Sequence, residues 1–512
     1  WIVIGRNDDC AWGITNLSAD ETDFYLERLH PDGSDRVLHD GRYEDLEVRY
    51  DTIFAKDTVG TPIEIRSSRH GPLLTDIARI VASYPPPLID TGITGRFVHT
   101  DADTLALALR WLGRETSDEL RALQEMNRAT SLSEFRKATR HAGIPGMSLV
   151  YADQTGTIAY LPVLRAPIRP GTMTDRVNPG WLSRYNWRGV RSVSSMPTLA
   201  DPAQGFVASA NNKLANALPF SVGTLWVDPS RAERLQEYLA EGNQFERIDC
   251  VQMQSDVISP HMKLFVEFLV RAFPDSARQG TKVREAINRL RTWDGTTAAE
   301  SPEAAIVAVW MQQLYERTWK DEMGESLYRH FVLFESRPML AMRRHLIEDS
   351  RWFDDRSTPR REVRDDILRV SLGEALDSLY EHFGSWEIAD WSFGAIHTLT
   401  FRHPFSVAEE LRELVNVGPY PVGGASSTLN NGEWNIGKPY DVELGPSMRQ
   451  IVDFADTTRF MSSVITSGQS GQPMNDRYED QSIIWLFNGY IDLHRDPPSQ
   501  AERLSTVTLL PR

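Results

Sequence analysis

Cysteine is nearly absent from this 512-residue chain, which has only Cys10 and Cys250. That excludes a disulfide-stapled scaffold and a Cys-rich zinc centre, and two positions alone do not say whether they pair. No run of about 18 apolar residues occurs, so no segment reads as a membrane-spanning helix. Positive charge is in deficit: 55 Lys and Arg face 71 Asp and Glu, for a formal net charge of −16. Such a balance repels phosphates and argues against broad binding to nucleic acid or anionic membranes. HExxH, GxxxxGK[ST] and CxxC motifs are missing. The nearest approach to a nucleophile elbow, Gly468-Gln469-Ser470-Gly471-Gln472, lacks the second glycine of G-x-S-x-G. Neither internal repeats nor low-complexity tracts occur.

What remains is a globular composition, 41% hydrophobic and 25% charged, on a chain long enough for two or three domains. It opens Trp1-Ile2-Val3-Ile4-Gly5, without an initiator Met or a basic n-region. This start reads as the inside of a buried strand, in a processed product or a piece of a longer chain. Strand patterning follows at Phe24–Leu29, Leu46–Phe54 and Pro62–Ile65. Ser117–Asn127 reads as a helix, and Ser131-Leu132-Ser133-Glu134 has capping-box spacing for a second. Met147–Ala152 and Thr157–Leu161 are expected strands around the turn at 153–156. Residues 162–205 read as a long irregular loop ending in a short strand, Phe206–Ala210. From Asp228-Pro229, an N-cap followed by Pro, the period turns helical to about residue 383, with Gly242 closing the first helix and Ser301-Pro302-Glu303 opening another. Strand patterning returns at Ile396–Phe401, Gln450–Phe454 and Phe460–Ile465. This order predicts one α+β core fed by strands from both ends of the chain and interrupted by a helical insertion: 1–227, 228–385 and 386–512.

Three constellations carry chemistry. Asp20 and Asp23 lie three apart in a turn, with backbone carbonyls between them. That suits a hard cation such as Ca²⁺, or a solvated acidic turn. Phe206–Ala210 runs into Asn211-Asn212-Lys213, where a side-chain amide could be aimed into a cleft as an oxyanion hole needs, or could simply make a turn. Arg231 falls in the first turn of a helix, where the macrodipole does not help a cation, so it calls for a carboxylate or substrate partner. His397 and His403, in an aromatic strand-like segment, read as satisfied core or loop histidines.

Taken in order, these segments resemble the penicillin acylase family of N-terminal-nucleophile hydrolases. The landmarks are Ala11-Trp12-Gly13-x-Thr15-Asn16 with Asp20-x-x-Asp23; Arg69-His70-Gly71-Pro72; Leu109-Arg110-Trp111; Val150-Tyr151-Ala152-Asp153 with Gly156; and Asn178-Pro179-Gly180 followed by Trp187-x-Gly189. Met196-Pro197, Asp201-Pro202-x-x-Gly205-Phe206 into Asn211-Asn212-Lys213, Trp293-Asp294-Gly295, Gly445-Pro446-Ser447-x-Arg449 and Gly468-Gln469-Ser470-Gly471-x-Pro473 follow in register.

The resemblance implies a four-layer αββα core and hydrolysis of the amide joining an acyl chain to an amine. It implies a periplasmic or secreted protein made as a self-cleaving precursor, whose cut frees a serine at the start of the large (β) subunit. That serine is the nucleophile and its own α-amine the base, with a pKa near ~8 suited to neutral pH. Carried over, Asn16 supplies the backbone N–H of the oxyanion hole and Asn211 its amide, with Asn212 as fallback. Arg231 supports the site. Asp20, the Thr22 carbonyl and Asp23 are calcium ligands. A further ligand Asp expected before Trp226 has no counterpart in Leu218–Leu225, and another ligand belongs to the small (α) subunit. Only eleven residues precede Trp12, and none matches the nucleophile. The expectation is therefore a large subunit lacking its N-terminal edge, with the αββα core incomplete there and the 512 residues inactive alone. The competing expectation is a non-catalytic module that keeps the acyl-binding cleft. Acyl specificity among penicillins, cephalosporins, acyl-homoserine lactones and lipopeptides is not encoded in any motif.

Overall fold

A computed structural model of the chain describes residues 2–56, 59–76, 104–170, 176–213, 220, 222–242, 244–275, 278–334 and 336–495. It divides into two compact units, residues 1–226 and 227–512.

The first unit contains strands β1 (Gly5–Arg6), β2 (Cys10–Asn16), β3 (Thr22–Arg28), β4 (Leu105–Trp111), β5 (Met147–Asp153), β6 (Ile158–Val163), β7 (Asn178–Pro179) and β8 (Leu199–Ala200). Trp1 lies outside the described residues, and the expected opening strand is displaced to Gly5–Arg6. The cause is the turn that follows, where the Asn7 carboxamide oxygen accepts from the Asp9 and Cys10 N–H groups and folds β1 back on β2. β1, β2, β5, β6 and β8 form an antiparallel sheet in the order β1-β2-β5-β6-β8. Alternation along β2 sends Cys10 and Trp12 inward. There they meet Leu149, Tyr151 and Leu161 of the sheet and Met126 and Phe135 of two short helices, α1 (Glu119–Met126) and α2 (Leu132–Ala138). Trp12 and Tyr151 flank the Phe135 ring at 5.7 and 5.1 Å. The Ser131 hydroxyl caps α2 by accepting from Glu134 N, but the Glu134 carboxylate accepts from Thr130 N rather than Ser131 N, so the expected reciprocal box is shifted by one residue. A second sheet, β7-β3-β4, packs around Tyr25, Leu73, Ala106 and Ala108.

The expected strand Phe206–Ala210 is not one. No ladder forms there; the segment is tied by side chains, Thr15 Oγ1 to Ser209 Oγ at 2.6 Å and Ala210 N donating to Asn212 Oδ1 at 3.1 Å.

The second unit begins with helices α3 (Ser230–Glu241), α4 (Arg247–Ser255), α5 (Pro260–Ala272), α6 (Thr281–Thr292), α7 (Pro302–Val332), α8 (Arg337–Glu348) and α9 (Arg364–Phe383). Ser259 and Ser301 cap α5 and α7 ahead of Pro at the first helical position. Asp228 caps α3 through its carboxylate, which accepts from Ser230 N at 3.0 Å, while Pro229 occupies the N-cap position itself. α7 breaks at Gly324, whose φ of +69° is left-handed. The core joins Ile306, Trp310 and Leu314 of α7 to Leu368, Leu372 and Ala375 of α9, and runs on to Trp391, Phe393 and Ile436. Strands β9 (Thr398–Phe401), β10 (Val417–Pro421), β11 (Glu433–Asn435) and β12 (Lys438–Leu444) form one sheet; β13 (Met448–Ile451), β14 (Arg459–Ile465) and β15 (Ile491–His494) form another. Among the described residues each sheet is built within one unit. Backbone pairing there does not produce the single sheet expected from both chain ends.

Candidate active site

β2 leaves its sheet at Asn16, the last residue paired with β5. Beyond it Ser18 adopts a left-handed backbone (φ +53°), and the Asn16 carboxamide oxygen accepts from Ser18 N at 2.9 Å. The side chain of Asn16 is thus spent on its own turn. Asn211, 195 residues later, is also left-handed (φ +61°), a conformation that Asn tolerates better than most residues. Its amide nitrogen donates to the Asn16 carbonyl at 2.9 Å. An NH₂ group carries two hydrogens, and the one committed to Asn16 sets the plane of the amide and so the direction of the other. Asn212 turns the other way, its carboxamide oxygen accepting from Ala210 N. The residue brought to the end of β2 is therefore Asn211, not its neighbour.

Arg231 lies in the second unit, half-buried on the first turn of α3. Burial lowers its guanidinium pKa, with Glu433 and Asp228 opposing. Asp228, 6% exposed, contacts His261 Nδ1 at 3.2 Å and Arg343 Nη1 at 3.4 Å as well as Ser230 N. Burial pushes its carboxyl up, but His261 and Ser230 outweigh that and hold it well below the usual range.

Asp20 and Asp23 converge on a residue the sequence did not single out. Arg169 Nε donates to Asp23 Oδ2 at 2.8 Å, and Arg169 Nη2 donates to the Asp20 carbonyl at 3.0 Å and lies 3.4 Å from Asp20 Oδ1. The Trp187 indole N–H donates to the same Asp23 oxygen. A calcium shell needs about six to eight oxygens, and these residues do not fit it: the two carboxylates already face a guanidinium. The segment approaching Asp20 supplies a carbonyl, Asp20 N donating to Val222 O at 2.7 Å, not a third carboxylate. Among the described residues, no group of three or more His, Cys, Asp or Glu could hold a metal.

Three landmarks converge four residues further along β3, at Glu27. His70 Nδ1 lies 2.7 Å from Glu27 Oε1 and its Nε2 2.8 Å from Asn186 Oδ1, with the ring stacked on Tyr25 at 3.8 Å. Ser68 donates to the same Glu27 oxygen at 2.5 Å. Gly71 must be glycine, since its φ is +129° and a Cβ would meet Leu109 O at 2.0 Å; a Cβ on Gly180 would meet Glu27 Oε2 at 2.1 Å.

Other sequence candidates take ordinary places. His397 is fully buried, its ring nitrogens on the carbonyls of Val422 and Gly432; His403 Nδ1 accepts from Phe405 N. Ser470 sits in an irregular segment, not on a strand-to-helix elbow, and its hydroxyl accepts from Gln472 N. Both cysteines are free thiols. Arg449, 4% exposed, donates to the Trp485 carbonyl and to Asn430 Oδ1, each at 2.8 Å, and lines a cavity of about 880 Å³ in the second unit. Arg169 and Asn186 carried no sequence signal; Trp187 and Gly180 did, as landmarks without a role.

The chain combines an α+β fold with an asparagine, Asn211, held by a hydrogen bond at the end of β2. Its structure matches a thermostable penicillin G acylase from Alcaligenes faecalis with a TM-score of 0.70 at 17% identity, over 100% of this chain and 90% of that one. The penicillin amidase family model matches residues 1–502, and the chain belongs to that family. It is similar to the acyl-homoserine lactone acylase QuiP of Pseudomonas aeruginosa (29% identity, 99% of this chain, 61% of the relative) and to the penicillin acylase 2 proenzyme of Pseudomonas sp. strain SE83 (26%, 94% and 58%). The chain thus spans about three fifths of the length of these relatives. No described helix is long and apolar enough to cross a membrane.

Proposed function

We propose that the protein hydrolyses the amide bond between an acyl chain and an amine, with an N-terminal serine nucleophile that lies outside these 512 residues. The serine hydroxyl attacks the amide carbonyl while its α-amine takes the proton. The oxygen of the tetrahedral intermediate accepts from Asn16 N–H and the Asn211 amide, and loss of the amine leaves an acyl-serine that water hydrolyses. The observation that carries this reading is the Asn211 Nδ2 to Asn16 O bond of 2.9 Å, which joins two residues with the required donors across 195 positions. Arg231 supports the site under the same reading. Division of the chain into 1–227, 228–385 and 386–512, a small subunit cut from the same precursor, and export to the periplasm or beyond belong to it too. Acyl-homoserine lactones are the substrate class to test first, since the relative named for them aligns with 99% of this chain.

The test uses the full-length gene product, assayed against acyl-homoserine lactones of graded chain length and against aromatic acyl amides. Asn211→Ala is expected to lower kcat by roughly 10²–10³ with little change in KM. The 512-residue chain alone is expected to be inactive. Turnover by that chain, abolished by Ser470→Ala, would overturn the assignment; binding of acyl amides by the full-length protein without turnover would favour a non-catalytic module.

A further inference from the structure

The carboxylates of Asp20 and Asp23 stand where a cation is expected, and a cation from within the chain reaches them. We propose that the Arg169 guanidinium takes the place of a bound divalent ion between Asp20 and Asp23, fastening the start of β3 to Arg169 and Trp187 without a metal.

The geometry is that of a built pair rather than a surface contact. The Arg169 and Asp23 side chains are 9% and 1% exposed, joined Nε to Oδ2 at 2.8 Å. Arg169 Nη2 spans to both the carbonyl and the carboxylate of Asp20, at 3.0 and 3.4 Å. A planar guanidinium with donors on two edges can bridge two acids as a spherical ion does, and it stays charged when buried. Asp23 Oδ2 accepts from both Arg169 and Trp187. Asp23 Oδ1 is buried and finds no hydrogen-bond partner among the described residues, and one such oxygen is far short of a calcium shell. The approach is also wrong for a divalent cation. A neighbouring cavity of about 290 Å³ opens on Asp23, and among its described lining residues are Arg169, Arg184 and Arg188 against that single acid. Three guanidiniums repel an entering Ca²⁺. Arg110 and Arg169 further crowd the Trp187 ring, at 5.0 and 5.7 Å from its centre.

The test is independent of hydrolysis. The full-length gene product is titrated with Ca²⁺ by calorimetry, and its Tm is measured in EDTA and in millimolar Ca²⁺. The expected result is no saturable heat and a Tm that agrees within about a degree between the two. Stoichiometric Ca²⁺ binding that raises Tm overturns the proposal. In parallel, Arg169→Met is expected to lower Tm by roughly 5–15 °C, because it strands the Asp23 carboxylate in the interior. The Arg169→Met/Asp23→Asn double variant is expected to be more stable than the sum of the two single losses requires, since a neutral Asn needs no counter-charge. Strictly additive losses overturn the proposal. Should Arg169→Met not fold, the calcium titration of the parent chain and the folding of the double variant decide it: a folded double variant supports the pair, an unfolded one counts against it.

Discussion

Replacing His70 with Phe isolates the hydrogen bonds of a buried network from its packing. The Phe ring can keep the stack on Tyr25, 3.8 Å away, but has no nitrogen for Glu27 or Asn186. Glu27 is 1% exposed and His70 4%, so water cannot replace the lost partner. A hydrogen bond to a carboxylate contributes about 1.5–3 kcal/mol and one to a neutral amide about 0.5–1.5, and an acceptor left buried adds its desolvation. Together these come to about 3–5 kcal/mol, in line with breaking one side of a buried pair. For a unit of this size that corresponds to a fall in Tm of roughly 10 °C. The assay is thermal unfolding of the 512-residue chain followed by tryptophan fluorescence, with urea unfolding as a second measure. Adding Glu27→Gln to the His70 variant is expected to recover part of the loss, because an amide is cheaper to bury than a carboxylate. A His70→Phe protein that melts within about 2 °C of the parent would refute the claim that this network anchors β3.

Two further perturbations follow from buried titratable groups. Burial, reinforced by Asp20, pushes the Glu21 carboxyl from 4.5 up to about 7, against an opposing bond from the Gly146 backbone. A folded pKa above the unfolded one means that the protonated form stabilises the fold. This contribution is complete below about pH 4.5 and is lost as pH rises through 7; with the partial exposure of the group it amounts to about 1–2 kcal/mol. The parent-minus-Glu21→Gln difference in unfolding free energy is therefore expected to fall between pH 5 and 8, and a flat difference would contradict it. Burial pushes the Cys10 thiol up to about 11, so alkylation of Cys10 by iodoacetamide at pH 8 should require unfolding; rapid labelling of the native chain would show otherwise.

Local chemistry was legible in the sequence wherever one residue acts on its near neighbours. Ser131 and Ser301 cap helices as their spacing predicts, and β3, β5, β6 and β14 fall where alternation puts them. Phe206–Ala210 misled because its β-like composition serves side-chain bonds to Thr15 and Asn212 instead of a ladder. Among the described residues, strands from the two chain ends do not pair in one sheet, for a related reason: hydrophobic period identifies a strand but not its partner. At the candidate site, the family pattern pointed to Asn16 and Asn211, which the fold brings within a hydrogen bond of one another. Arg169 escaped notice because an arginine in an irregular loop carries no periodic signal, and its role exists only once the chain has brought it back over β3. The same holds for Asn186, whose side chain meets His70 and His39 only once the fold has brought them together.

Asp228 ties three elements together: the start of α3 through Ser230, α5 through His261 and α8 through Arg343. Arg231 rides on that first turn of α3. The first turn of α3, and Arg231 with it, is thus held partly by residues 30 and 112 positions downstream of Arg231. Substitutions at His261 or Arg343 would therefore be felt at Arg231 through the Asp228 cap, without touching Arg231 itself.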